Sequence, residues 1–201
     1  MNMGTASMKK ISRDELMPLE QYAKARGDYR ARVMAHKKDR QVQIGKNATL
    51  YFEDHLTMLY QVQEMLRAER IFEDAGIQDE LDAYNPMVPD GTNWKATFMI
   101  EFTDVEERRV ALEKMIGIED KVWVQVADFS KVYAIADEDL ERETEEKTSS
   151  VHFLRFELTA DMIRAVKADG AVSMGIDHPA YTHSVMPVPE ATRASLAKDL
   201  A

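Results

Sequence analysis

Three histidines stand beside carboxylates or at the ends of predicted elements. His55 follows Glu53-Asp54, His152 lies in an alternating segment, and His178 sits within Asp177-His178-Pro179, with Tyr181 and His183 close behind. Neutral imidazole with carboxylate is the donor set of a divalent metal site that uses no sulfur. Glu64 and Glu69, on the helix predicted after His55, would supply oxygens, with Glu53 as a further donor. Meeting at one sheet edge, His55, His152 and His178 would suit iron, manganese or zinc, with zinc ligands about 2.0–2.2 Å from the ion. The structural alternative stays open. His55 and His152 also read as core-edge histidines with satisfied nitrogens, and Asp177-His178-Pro179 as a turn, since Asp caps locally and the residue before Pro avoids the α region. Gln61 and Glu64 share one side of the helix and Gln63 does not, so these polar groups cannot all serve one site.

Other chemistries find no support. The eight glycines form neither GxGxxG nor GxxxxGK[ST], and no GxSxG elbow, zinc-protease or EF-hand spacing is present. With no cysteine, disulfides, Cys-ligated zinc, intrinsic iron–sulfur clusters and a thiol nucleophile are excluded.

The elements that must position these residues fall into two halves. Ser12-Arg13-Asp14-Glu15 reads as a capping box that starts a helix, interrupted by Pro18 and followed by a second helix from Leu19 towards Asp39. Gln41–Ile44 and Thr49–Asp54, around Gly45-Lys46-Asn47, predict a hairpin. Thr57–Asp74 predicts a helix, because Met58, Leu59, Val62, Met65, Leu66 and Phe72 form one stripe, with Gly76 as its stop. A short helix follows over Ile77–Tyr84. Trp94–Phe102, Val122–Ala127, Val132–Ala136, Val151–Leu158 and Ala171–Ile176 then read as five strands of one sheet. Thr103-Asp104-Val105-Glu106 predicts a capped helix ending at Gly117, and Thr159 caps another. The fold class is α+β: a mostly antiparallel sheet of about five strands with helices packed on it, behind a helical N-terminal half. A disordered leader is expected over residues 1–10 and a single domain over 11–201.

Composition sets the remaining bounds. Of the 201 residues 45% are hydrophobic and 31% charged, a globular balance. No apolar run approaches the roughly 18–20 residues of a membrane span, and with neither a signal core nor cysteine the expected location is cytoplasmic. The net charge of −10 argues against nucleic acid. Lys24–Arg40 is the exception, with seven Lys/Arg and two Asp; it reads as a solvated helix face or as a docking surface for an acidic partner. Asp137–Glu146, with seven acids in ten residues, reads as a solvated loop or frayed helix.

ISRDELMPL (11–19), RVMAHK (32–37), YQVQEMLRAE (60–69), ELDAYN (80–85), ATFMIE (96–101), VHFLRF (151–156) and Asp177-His178-Pro179 together resemble a bacterial family known as domain of unknown function 3501. The resemblance runs from Ile11 to the C-terminal end and implies one unit. It carries no assigned activity. Through genes that neighbour those of rubrerythrin-like proteins and iron–sulfur oxidoreductases, it implies an association with redox or oxidative-stress metabolism. The leading expectation is therefore a non-enzymatic accessory protein that binds such a redox partner. The alternative is a metal-binding protein or metal-dependent enzyme using the histidines and carboxylates above. A third reading is a small-molecule sensor with a pocket between the helical half and the sheet.

Overall fold

The computed structural model describes residues 9–138, 142, 144 and 146–201. The leader expected over residues 1–10 and the middle of the acidic stretch Asp137–Glu146 fall largely outside them. No helix among the described residues is long and apolar enough to cross a membrane.

The helical half is a small lobe of three helices: α1 (Leu19–Lys37), α2 (His55–Glu69) and α3 (Asp74–Tyr84). The Ser12 capping box forms, but it opens only a single 3-10 turn, Arg13–Glu15. Pro18 ends that turn's run, and α1 starts directly after it. Most of the expected stripe packs: Met58, Val62 and Leu66 join Ile11, Leu81 and Val88 in a satellite core, whereas Phe72 lies beyond α2 and is exposed. α2 ends earlier than predicted. Arg70 takes the left-handed conformation (φ 56°) and its N–H bonds back to Leu66, closing the helix without glycine. Gly76 lies inside α3.

Among the described residues, nine strands follow one another through two antiparallel sheets. β1 (Gln41–Ile44), β2 (Ala48–Glu53), β3 (Asn93–Ile100), β7 (Val151–Glu157) and β6 (Ile135–Ala136) make a five-stranded sheet in that order. β5 (Val132–Tyr133), β4 (Val122–Val126), β8 (Val172–His178) and β9 (Tyr181–Val185) make a four-stranded one. The expected single sheet is thus corrected to two. The segment Val132–Ala136 changes partner midway, pairing first with β4 and then with β7. Ala134, between the two halves, still donates its N–H to Val122. The physical reason lies in what covers the apolar faces. Of the helix expected after Thr103, α4 (Val105–Lys114), only Leu112 is buried, so it cannot shield a sheet. The sheets shield each other: Leu50, Phe52, Trp94, Phe98 and Phe156 from one meet Val122, Val124, Val172, Met174 and Ile176 from the other in one core.

Two further contacts close the structure. The Tyr181 hydroxyl on β9 donates to the Ile44 carbonyl and accepts from the Asn47 N–H, joining the β1–β2 turn to the other sheet. Gly45 makes this possible, since a Cβ there would overlap Tyr181 and His183 and its φ is +73°. At the C-terminal end, α5 (Ala160–Lys167) and α6 (Glu190–Leu196) bury Met162, Ile163, Val166 and Leu196 in the shared core, and Trp94 Nε1 donates to the Leu196 carbonyl.

Candidate functional site

The five-stranded sheet turns its second face to the helical lobe. Successive side chains alternate across a strand, so Lys95, Thr97 and Met99 on β3 point away from the core that takes Trp94, Ala96 and Phe98. The strand registers arrange this outer face in rows. Glu53, Lys95 and Arg155 form one, Tyr51, Thr97 and Phe153 the next, and Met99 beside Val151 a third. The face is therefore charged at one end and apolar at the other. The lobe roofs it with Met34 of α1, Met58 of α2, Tyr84 of α3 and Met87 just after. Between floor and roof lies a cleft of about 780 Å³, within the range of about 300–1,000 Å³ usual for small-molecule sites. Four of its lining residues are methionines, whose flexible thioethers fit irregular shapes.

The polar groups of the cleft are mostly held. Glu53, almost fully buried, accepts from the hydroxyls of Thr57 (2.6 Å) and Thr97 (2.9 Å). Arg155 grips Glu138 with two bonds of 2.8 Å and also pairs with Glu157. Lys95 donates to the Pro86 carbonyl, and burial lowers its ammonium below the ordinary range. Lys37 and Lys38 also line the cleft and have no ion-pair partner among the described residues.

A buried charge network fixes the lobe to the sheet. Arg40, 2% exposed, donates to the carbonyls of Phe52 and Glu53 and to Asp199 Oδ2 at 2.5 Å, with Asp54 at 3.4 Å. His36 of α1 bonds Asp54 at 2.5 Å, and Asp54 caps α2 through the Thr57 N–H. Burial alone would raise the Asp54 carboxyl, but the bonds from His36 and Thr57 and the charge of Arg40 outweigh it and hold it at about 2. Asp199 goes the other way. Its desolvation exceeds the pull of Arg40 and pushes it to about 6. Of the basic stretch Lys24–Arg40, Lys24 pairs with Glu20, Arg26 with Glu64, and Arg40 is spent in this network.

The histidines expected to share a metal are placed apart in function. His55 begins α2 with its Nε2 3.0 Å from Glu15 Oε2, and His178 ends β8 with its Nε2 donating to the Ile116 carbonyl at 3.0 Å. Its neighbours Pro179 and Ala180 form the β8–β9 turn, the bland alternative of the sequence reading. Glu64 accepts from Arg26 and from the Tyr22 hydroxyl, tying α1 to α2. Glu69 is exposed at the end of α2. His152 points inward as predicted and is fully buried, but its acids are two that were not expected. Its Nδ1 lies 2.5 Å from Asp137 Oδ2, its Nε2 3.0 Å from the Ser149 carbonyl, and Glu119 Oε2 lies 3.7 Å away. The Thr148 hydroxyl is 2.9 Å from the same Nε2. Donor atoms of Glu119, Asp137 and His152 all lie within 4.8 Å of one another, and among the described residues this is the His/acid group that does so. Asp137 opened an acidic run read as a solvated loop; its left-handed backbone (φ 48°) right after β6 folds it back onto His152.

The sequence offered Lys24–Arg40 as a docking surface and a pocket between the helical half and the sheet, but it did not connect Lys37 and Lys38 with that pocket or name its floor. One signal was available: Met99, Val151 and Phe153 are apolar at the parity opposite the core, which marks a sheet covered on both faces.

Comparison with known proteins agrees with this picture and adds no activity. Residues 10–200 match the model of a family described as protein of unknown function (DUF3501). A crystal structure at 1.90 Å of a novel protein of unknown function from Burkholderia pseudomallei K96243 is 52% identical. It superposes with a TM-score of 0.91 over 96% of this chain and 100% of that one. No curated protein matches.

Proposed function

The chain belongs to the DUF3501 family, and from its own geometry we propose that it binds a small organic molecule in the cleft between the helical lobe and the five-stranded sheet. One observation carries this. The outer face has an apolar floor of Met99, Val151 and Phe153, and the lobe covers that floor without filling the space above it. An apolar surface that side chains could have closed is instead left as about 780 Å³ of opening. The reading is of binding rather than catalysis, because Glu53, Arg155 and Lys95 are each engaged by partners that hold them in place. This is the third reading of the sequence, a small-molecule sensor, and not the expected accessory protein that binds a redox partner.

The test is binding of Nile red, a neutral apolar dye, to the purified protein and to Val151→Trp, which would fill the floor. Wild type should bind about one dye per chain with enhanced fluorescence. The variant should lose that binding with an unchanged circular-dichroism spectrum. Equal binding by the two proteins would refute the assignment.

A second reading has its own observation: one imidazole and two carboxylates converge at Glu119, Asp137 and His152. That donor set suits a hard or borderline divalent cation such as manganese, iron or zinc. Elemental analysis of wild type and His152→Ala decides it. About one equivalent in the wild type, lost in the variant, supports a metal centre; no metal in protein loaded with each ion in turn discards it.

A further inference from the structure

Resting on the cleft reading, we propose that the ligand is an amphipathic carboxylate: one carboxylate head on an extended apolar chain, lying along the strands with its head at the Lys37–Lys38 end. Three independent features of the cleft lead there.

The first is charge. The cleft is lined by Lys37, Lys38, Lys95 and Arg155 against Glu53 and Glu138, four cations and two anions, an excess of two positive charges. The whole chain carries −10. The cleft therefore reverses the sign of the molecule around it, and low-dielectric walls concentrate such a field on an entering anion.

The second is the state of each cation. Arg155 is neutralised by Glu138 and Glu157. Lys95 has given one of its three N–H groups to Pro86. Lys37 and Lys38 are unpaired among the described residues, one half-buried and one exposed. These are the groups left to hold a head, and single ammonium charges suit one carboxylate.

The third is direction. Arg40 follows Lys38 by two residues and donates to the carbonyls of Phe52 and Glu53, which fixes the end of α1 at the Glu53 end of β2. Glu53 is in register with Lys95 and Arg155, so all four cations gather at one end of the outer face. From Lys95 the same face runs through Thr97 to Met99. Four residues of antiparallel strand span about 14 Å. A ligand of that length would have its charge among the lysines and its tail on Met99, Val151 and Phe153.

Isothermal titration with three probes of equal chain length, decanoate, 1-decanol and decylamine, tests the assignment on the intact protein. Decanoate should bind wild type at least tenfold more tightly than the other two. Lys37→Ala/Lys38→Ala should remove that advantage and leave decanol binding unchanged, which a general loss of fold would not do. Decanol or decylamine binding as well as decanoate would overturn the head-group assignment and leave the cleft reading intact. So would retention of the tenfold advantage by the double variant. Nile red bound in the cleft with none of the three probes binding would also overturn the ligand class. Failure of Nile red as well would remove the cleft reading and this proposal with it.

Discussion

The two faces of the five-stranded sheet are built from the same strands and are completed in opposite ways. The inner face is finished by side chains: Leu50, Phe52, Trp94, Phe98 and Phe156 meet the second sheet at close to zero exposure. The outer face is finished by a lobe held at its margins. The Arg40 network pins one end of α1 to the sheet, and Glu64 ties α1 to α2, while the middle stays open as the cleft. Polar anchors fix position without filling volume, whereas apolar packing does both. Stability should therefore reside on the inner face and in the anchors, and ligand affinity on the outer face.

The strongest way to break this distinction is to attack the two supports. Arg40→Ala would leave Asp54 and Asp199 buried without their cation, an expected loss of about 3–5 kcal/mol in urea unfolding. Phe98→Ala on the inner face should lose a similar amount, about 3–5 kcal/mol. Met99→Ala, its chain neighbour on the outer face, should lose about 1 kcal/mol or less, because it enlarges an opening rather than creating a cavity. Similar losses at Phe98 and Met99 would erase the contrast between the faces.

Acidity sharpens the comparison next. Asp54, held at about 2, contributes stability that is complete above the ordinary carboxylate range and disappears as pH falls from about 4 towards 2. The contribution is roughly 2 kcal/mol. Asp199, raised to about 6, has the reverse sign: its contribution is complete below about 4 and is lost as pH rises through 6. Urea midpoints measured from pH 2 to 8 should therefore peak near pH 4 and fall from there through about 6. Asp199→Asn should flatten the alkaline limb and keep the acid one. A wild-type profile still rising from pH 5 to 8 would contradict the assignment.

The smallest effect is at the helix-to-helix tie. The Arg26 hydrogen bond, with help from Tyr22 and against partial burial, holds Glu64 at about 2. Glu64→Gln should lose about 0.5–1 kcal/mol at neutral pH, the range of a well-formed but solvent-accessible pair. Because wild type loses the same interaction as pH drops towards 2, the two proteins should converge there.

Local structure was legible where one rule decides it. The β1–β2 hairpin follows from alternation around Gly45, and α2 from its apolar stripe. Sheet membership was not, because period two gives Val124 and Phe98 the same signature although they lie in different sheets. β9 was missed altogether, since three of the five positions of Tyr181–Val185, namely Thr182, His183 and Ser184, are polar and exposed. For His152, alternation gave the inward direction but not the partners. Glu119 and Asp137 reach it from a 3-10 turn and from a left-handed residue, neither of which has a sequence period. The partners of His55 and Glu64 stayed hidden for a related reason. His55 and Glu64 lie at element ends and on helix faces where a nearby Glu15 or Arg26 supplies a partner first.

The bond from Arg40 to Asp199 joins residues 159 positions apart. On a ribosome adding roughly 5–20 residues per second, the arginine waits on the order of 10–30 s for its counter-ion to be made. Until then the guanidinium has every reason to stay in water, and the end of α1 has no neutralised seat on the sheet. The end of α1, made long before Asp199, is thus among the last parts to dock, and the cleft comes into being only after Asp199 has been added.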